Sequence, residues 1–311
     1  PYPSTHALEK TLHRLYFRLP LTPAQRARLR GFLIARFPSL LQHSRAALAQ
    51  SPETTGFVPG SMLDMDTVPR LISFSGKIAV HVHIYYEDLI SEFASYLNNI
   101  PFRFDLFISV MTEAAALACR ETFAGLPNLR KLTIKVVPNR GRDLSPFVVA
   151  FGPQLRTYDI IAHFHTKKSL YNEGATEGWR EYLLNQLLGS GDRIQQIFSL
   201  LTDETPFGMV YPQTYHLVLY QAHTWLANRG LAERWAGPLG LNALPRGYFD
   251  FPAGSMFWAR AEALARLFDA GITLEDFPPE SGQTDGTLAH TLERMLGVSV
   301  VDQGYHLAIL K

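Results

Sequence analysis

Two apolar runs of this chain, LTIKVV and YDIIAHF, each break off into a dense polar cluster. Asn139, Arg140, Arg142 and Asp143 follow the first; His163, His165, Thr166, Lys167 and Lys168 close the second. Guanidinium and ammonium groups hold phosphate oxygens, arginine through a planar fork and lysine as a point charge. Arg140, Arg142, Lys167 and Lys168, with two imidazoles beside them, form a seat for an anion, most simply a nucleoside diphosphate. Solvated basic loops are the plainer alternative. Two clusters at two successive strand ends favour the functional reading, because polar groups on scaffolded loops carry binding and catalysis.

Other residues could complete such a site. Gly141 permits a tight turn or a positive φ between the two arginines. Asp143 stands directly before LSPFVVAF, where it either caps a helix or meets a ligand hydroxyl. In HVHIYYEDL the two-residue strand period puts His81 and His83 on one face, Val82 and Ile84 on the other. His83 is placed to meet a diphosphate or ribose and Tyr85 to stack on a base; a buried, hydrogen-bonded histidine under an aromatic lid is the equal alternative. In PPESGQTDGTLAHTLER, Glu280 and Asp285 precede a helix that carries His290, and Asp285 could cap that helix. Glu293 and Arg294 read as a structural pair. Arg180 adds a cation or forms an exposed ion pair.

These clusters need a scaffold, and the rhythm from Lys77 onward supplies one. KIAVHVHIY, FDLFISV, KLTIKVV and DIIAHFH read as strands, with helices through EDLISEFASYLNNI, EAAALACRETFAGL and DLSPFVVAFGPQL between them. Repeated βα units argue for a parallel sheet covered by helices, with ligands at the carboxyl ends of the strands. Helical character is expected from Trp179 to Leu201 and through 215–245. FGMVYP, the end of FDFPAGSMFWAR and VSVVDQGY read as later strands, with helices through AEALARLFDAG and from Gly286 to Leu296.

Hydrophobic residues make up 47% and charged residues 18% of the 311, values that imply a globular core. The apolar runs are too short to cross a membrane, and the start carries no secretory leader pattern. The single cysteine, Cys119, lies in an apolar helical pattern and reads as a small core residue. Cysteine usage fits a reducing compartment. Residues 1–50 hold eight Lys or Arg and one acid, giving +7; the remainder holds 21 bases and 27 acids, giving −6. Helical spacing over 7–19 and 23–36 makes this head a basic helical hairpin, 51–76 a linker and 77–311 the main domain. Its partner is a membrane surface or a neighbouring domain. Nucleic acid is not expected, because no recognition module is visible.

NRGRDLSPF, YDIIAHFHTKKS, GWREYLL and QTDGTLAHTLER, in this order, resemble the rhamnan synthesis F family of polysaccharide glycosyltransferases. The resemblance covers about Lys77 to Tyr305. It implies an α/β GT-A-like, Rossmann-type sheet that seats a nucleotide on its N-terminal half and builds the acceptor site from its C-terminal half. It further implies transfer of rhamnose, from dTDP-L-rhamnose with inversion, onto a bacterial cell-surface polysaccharide or lipid-linked glycan. The location implied is the cytoplasm or the inner face of the membrane. His163-Phe164-His165 takes the place where GT-A enzymes carry a metal-binding Asp-x-Asp pair. Hard divalent cations prefer oxygen ligands and the adjacent lysines repel them, so metal-independent transfer with no cofactor beyond the donor is expected. Arg140, Arg142, His163, His165, Lys167 and Lys168 then hold the donor diphosphate, and His83, Tyr85, Asn139 and Asp143 its base or sugar. Asp250, Gly254, Ser255, Trp258 and His290 fall in the sugar or acceptor pocket, although strand aromatics are more often core. Asp285, ahead of Glu280, is the expected base for the acceptor hydroxyl, with Asp250 and Asp143 the next carboxylates. A non-catalytic glycan-binding or scaffolding domain is the alternative, and a nucleotide-binding regulator a third.

Overall fold

The computed structural model describes residues 60–166, 178–215 and 222–311, with Gln25 and Val218. The basic hairpin expected over 1–50, Gln25 apart, and the pair Lys167–Lys168 lie outside the described residues.

Eight strands build one sheet: β1 Ser61–Leu63, β2 Ile78–Ile84, β3 Phe104–Val110, β4 Leu129–Val136, β5 Ile160–His165, β6 Phe207–Pro212, β7 Phe257–Arg260 and β8 His306–Leu310. Their order is β1-β8-β6-β7-β5-β2-β3-β4. All pairings are parallel except those of β7, which runs antiparallel to both β5 and β6. The expected rhythm is present, with α1 Ile90–Leu97 after β2 and α2 Glu113–Phe123 after β3. Thr112 starts α2 by accepting the Ala115 N–H. The chain steps outward from β2 through β3 to β4, then returns to lay β5 on the other side of β2. Strand order therefore reverses between β2 and β5, the position where open α/β sheets bind ligands.

Every residue of β2, β3 and β5 is buried, as a sheet covered on both faces requires. One core packs Val80, Val82, Leu106 and Phe164 against α1, α2, α3 Trp179–Leu188 and α4 Gly191–Ser199. The other packs Ala79, Phe107, Ile161 and Phe257 under Phe147, Phe151 and α7 Leu288–Asp302. Cys119 is a buried core residue, its thiol pushed up to about 12 by burial.

Several expected elements differ. VSVVD is the last turn of α7, and the final strand is β8 instead. Periodicity cannot separate a short apolar run in a strand from one in an all-round buried helix. α7 is such a helix, close enough to its neighbours that a Cβ on Gly297 would meet the Asp250 carbonyl at 2.7 Å. The expected helix after β4 is broken: Pro146–Ala150 is a π-helical turn and Gly152–Leu155 a single α turn. Pro146 lacks the N–H that a regular ladder needs. Over 215–245 the described α-helix is only α5 Arg229–Ala236, and AEALARLFDAG ends in the short α6 Ala265–Asp269. From Gly60 onward the segment expected to be a linker docks on the domain, where β1 pairs with β8 and the Leu71 N–H meets the Gln195 carbonyl.

Candidate functional site

The strand period and the sheet order together line up five polar side chains on one buried face. His81 pairs in register with His163, and His83 with both His165 and Ser109. His81 Nδ1 lies 2.9 Å from His163 Nδ1, and His81 Nε2 lies 3.1 Å from Ser109 Oγ. His83 Nδ1 is 2.9 Å from the same hydroxyl. At the other end His163 Nε2 meets Asp143 Oδ2 at 3.1 Å. Phe147 and Phe151, from the π-helical turn and just after it, pack on the His81 ring and exclude water. Burial holds His81 well below its ordinary value and His83 at about 4, so both are neutral near pH 7. Burial alone would raise Asp143. His165, His163 and His83 outweigh it and hold the carboxyl far below the usual range, so Asp143 is an anion.

Asp143 opens onto a small polar cavity of about 50 Å³ beside the carboxyl end of β5, room for one or two waters. Arg142 and Leu144 flank it on the same turn, and His165 stands at the strand end. Antiparallel β7 brings its leading turn, Gly254–Ser255, to this edge, where the Gly254 carbonyl accepts from His165 Nε2 at 2.8 Å. Helix α7 contributes Ala289, His290 and Glu293, and Glu293 Oε1 accepts the Gly254 N–H at 2.7 Å. Arg142 and Ser255 hold positive φ values of 55° and 56°, unusual outside glycine and costing on the order of 1 kcal/mol each. Gly141 precedes Arg142 at φ 75°, and a Cβ there would lie 2.5 Å from Phe277 and Ser145 atoms. His290 Nδ1 bonds Thr287 Oγ1 at 2.8 Å, while its buried Nε2 has no partner among the described residues. Burial, with Arg142 nearby, holds His290 at about 4 and therefore neutral. A buried polar atom left unpaired costs about 1–3 kcal/mol; a ligand hydroxyl at this cavity would recover it.

The structure thus brings together Arg142, Asp143, His165, Gly254, Ser255 and His290 from the sequence-predicted set. Others fall elsewhere. Arg140 is committed to the Phe277 and Glu275 carbonyls, fastening its turn to the 275–279 segment in place of gripping phosphate. His163 is fully buried and bonded on both nitrogens, to His81 and to Asp143. His83 is likewise bonded inward to Ser109. Trp258 is core, its indole N–H donated to the Leu187 carbonyl, with Phe257 on the opposite face of the sheet. Asp250 accepts the Gly60 N–H at 2.8 Å and anchors β1. Asp285 does not face the cavity: it accepts from Ala227 N and Asn228 Nδ2, with Arg294 at 3.7 Å. Glu280 accepts the Gly141 N–H and lies 3.7 Å from Arg142, bracing that turn. Arg142 is also held by the Gln283 carbonyl. Tyr85 is 45% exposed and Asn139 exposed on the loops above. Arg180 forms an ion pair with Glu92.

Glu293 is the residue that sequence reasoning missed. It was expected to pair with Arg294, which instead bonds Thr224, His290 and Asp285. The available signal was spacing, since His290 and Glu293 are three apart and share a helix face.

The HFH strand end does not suit a divalent cation. Both His163 nitrogens are taken by Asp143 and His81, and His165 Nε2 carries a proton for the Gly254 carbonyl. Among the described residues, no group of three or more His, Cys, Asp or Glu side chains could hold a metal ion.

A helix-covered, mostly parallel sheet whose strand order reverses between β2 and β5 defines a Rossmann-like α/β fold. The chain matches the family Rhamnan synthesis protein F over residues 40–305 and belongs to it. That family is named for the synthesis of rhamnan, a polysaccharide. It is also 33% identical over 174 residues to WxcX of Xanthomonas campestris, described as an uncharacterized protein, in strains B100 and ATCC 33913. The match covers 56% of this chain and 24% of the relative, so the matched part of the chain spans about a quarter of that protein. No described helix is long and apolar enough to cross a membrane.

Proposed function

We propose that this domain is a GT-A-like glycosyltransferase that moves rhamnose, with inversion, from dTDP-L-rhamnose onto a growing surface polysaccharide or lipid-linked glycan. The observation that carries the reading is the buried His290 Nε2, without a partner among the described residues, in a cavity that two carboxylates, Asp143 and Glu293, also line beside the sheet's switch point. Such a set matches the hydroxyls of a sugar. The cavity is the floor of the ligand site; the diphosphate lies above it, toward Arg142 and His165.

An inverting transfer needs a carboxylate to take the acceptor hydroxyl's proton. Asp285 and Glu280 are occupied by backbone and side-chain donors, which moves this role to the cavity. Asp143 is a poor proton acceptor because its neighbours stabilise the anion, so it serves as a fixed acceptor of sugar hydroxyls and a counter-charge for the sugar carbon. Glu293 is then the base, oriented by the Gly254 N–H. No metal step enters the mechanism; Arg142 and His165 stabilise the leaving diphosphate. A basic head over 1–50 docks the domain at the inner membrane face or on a neighbouring domain.

The test is a panel of nucleoside diphosphate sugars, scored first for thermal stabilisation and then for transfer or hydrolysis. Stabilisation and turnover with dTDP-L-rhamnose are expected. Binding of glycan alone, with neither nucleotide binding nor turnover, would establish the non-catalytic domain instead.

A further inference from the structure

Hydrogen-bond chemistry assigns a direction to the buried histidine row. An ionised Asp143 only accepts, so His163 Nε2 carries a proton. His163 Nδ1 and His81 Nδ1 face each other at 2.9 Å, so one accepts and the other donates; with one proton per ring, the His163 proton is spent on Nε2 and His81 donates from its own Nδ1. His81 Nε2 is bare in turn and accepts the hydroxyl proton of Ser109. The Ser109 oxygen is left to accept from His83 Nδ1, and His83 Nε2 ends the row as a lone pair. Every donor therefore points toward Asp143. His81 and His83 are fixed in the Nδ1–H tautomer, which free imidazole disfavours.

We infer that His83, Ser109, His81 and His163 form one proton relay ending on Asp143, so that a proton taken up at His83 Nε2 emerges as positive charge on His163. The balance is simple. As Nε2 of His83 gains a proton from solvent, its Nδ1 proton passes to Ser109, the serine proton to His81 Nε2, and the His81 Nδ1 proton to His163 Nδ1. Each hop forms one N–H or O–H bond and breaks another, and the chain gains one proton in total. No heavy atom moves, yet the charge facing the cavity through Asp143 changes by one unit. The rings are stacked and dry, which suits such transfer. His81 and His163 lie 6° from parallel with centroids 5.0 Å apart.

Among the described residues, few charged or titratable groups face the row. Asp143 faces it from the turn after β4 and His165 from β5; Arg142, His290 and Glu293 lie beyond Asp143 around the cavity. Lys135 on β4 is turned to the Ala150 carbonyl. His81, Ser109 and His83 are positioning residues, and their link to a sugar rests on the proposed reading of the cavity. The relay itself does not, so its test needs no activity.

The experiment is nitrogen-15 NMR of histidine-labelled protein, reading each ring's tautomer from neutral pH down to the acid limit of the fold. At neutral pH we expect Nε2–H on His163 and Nδ1–H on both His81 and His83. On acidification His163 should become imidazolium while His81 and His83 switch to Nε2–H, all three at one common pH. Ser109→Ala should release His83 from that joint step and leave His81 and His163 coupled; Ser109→Thr should restore it. Nε2–H on His81 at neutral pH, or three rings changing at separate pH values, would overturn the relay. So would a His83 that still switches with the others in folded Ser109→Ala, and the wild-type spectrum alone decides if that variant does not fold.

Discussion

Replacing His290 by leucine should weaken the ligand without weakening the protein, an uncommon sign for a change at a residue only 7% exposed. His290 Nε2 is buried and has no partner among the described residues, which costs about 1–3 kcal/mol. Leucine removes that cost. It also removes the bond from Nδ1 to Thr287, worth about 0.5–1.5 kcal/mol, and the half-buried Thr287 hydroxyl can turn to water. The balance lies between roughly zero and 2 kcal/mol of net stabilisation. Binding moves the other way. A sugar hydroxyl that faced Nε2 would face a methyl group, at about 1–3 kcal/mol, or roughly 5- to 150-fold in affinity. Urea denaturation of the ligand-free protein gives the first quantity and calorimetric titration with dTDP-L-rhamnose the second. A loss of more than about 2 kcal/mol of stability with unchanged affinity would refute the reasoning, since Nε2 would then serve the fold and not a ligand.

Glu293→Gln keeps the acceptor for Gly254 and removes only the basicity, so turnover should fall by about 10²–10⁴ with donor affinity retained. Asp285→Asn should keep near-normal turnover while losing stability, because that carboxylate ties α7 to the 226–228 turn; kinetics with parallel melts separate the two residues, and the opposite pattern returns the base to Asp285. Transfer activity should survive EDTA, and loss with recovery on adding Mn²⁺ or Mg²⁺ would reinstate a metal. Stability should decline as pH falls from about 6.5 toward 4. His83 and His290 are held at about 4 in the fold against 6.5 when exposed, so the unfolded chain binds more protons across that window. Stability therefore rises with pH there, by an amount on the order of a few kcal/mol. Asp143, also depressed, adds loss of the same sign below about 3.8. Urea midpoints that stay flat from pH 7 to 4.5 would contradict this.

Much of the scaffold was legible because its signals are local. The strands β2 to β5 and the helices α1 and α2 are read from periodicity, and Gly141 takes its positive φ where a tight turn is needed. The same periodicity misreads VSVVD, where a run of β-branched residues is equally at home in a fully buried helix. The candidate site was legible in part. Arg142, Asp143, His165, Gly254, Ser255 and His290 converge, whereas Arg140, Asp285 and Asp250 look as suitable in sequence and are consumed by carbonyls, a loop amide and the Gly60 N–H.

What the sequence determined by itself is the facing of each side chain along its own element. Backbone geometry alternates strand residues, so His81 with His83, and His163 with His165, had to share faces; a helix puts residues three apart together, so Glu293 had to accompany His290. Only the tertiary structure decided which of these faces meet. His81 and His163 are 82 residues apart and touch because β5 returns beside β2. Glu293 reaches Gly254 because β7 runs antiparallel at that edge and α7 packs across it. Local geometry is dictated by covalent bonds within a few residues, while partnership is dictated by the one sheet order that buries both apolar faces, and the chemistry of this protein lies in the partnerships.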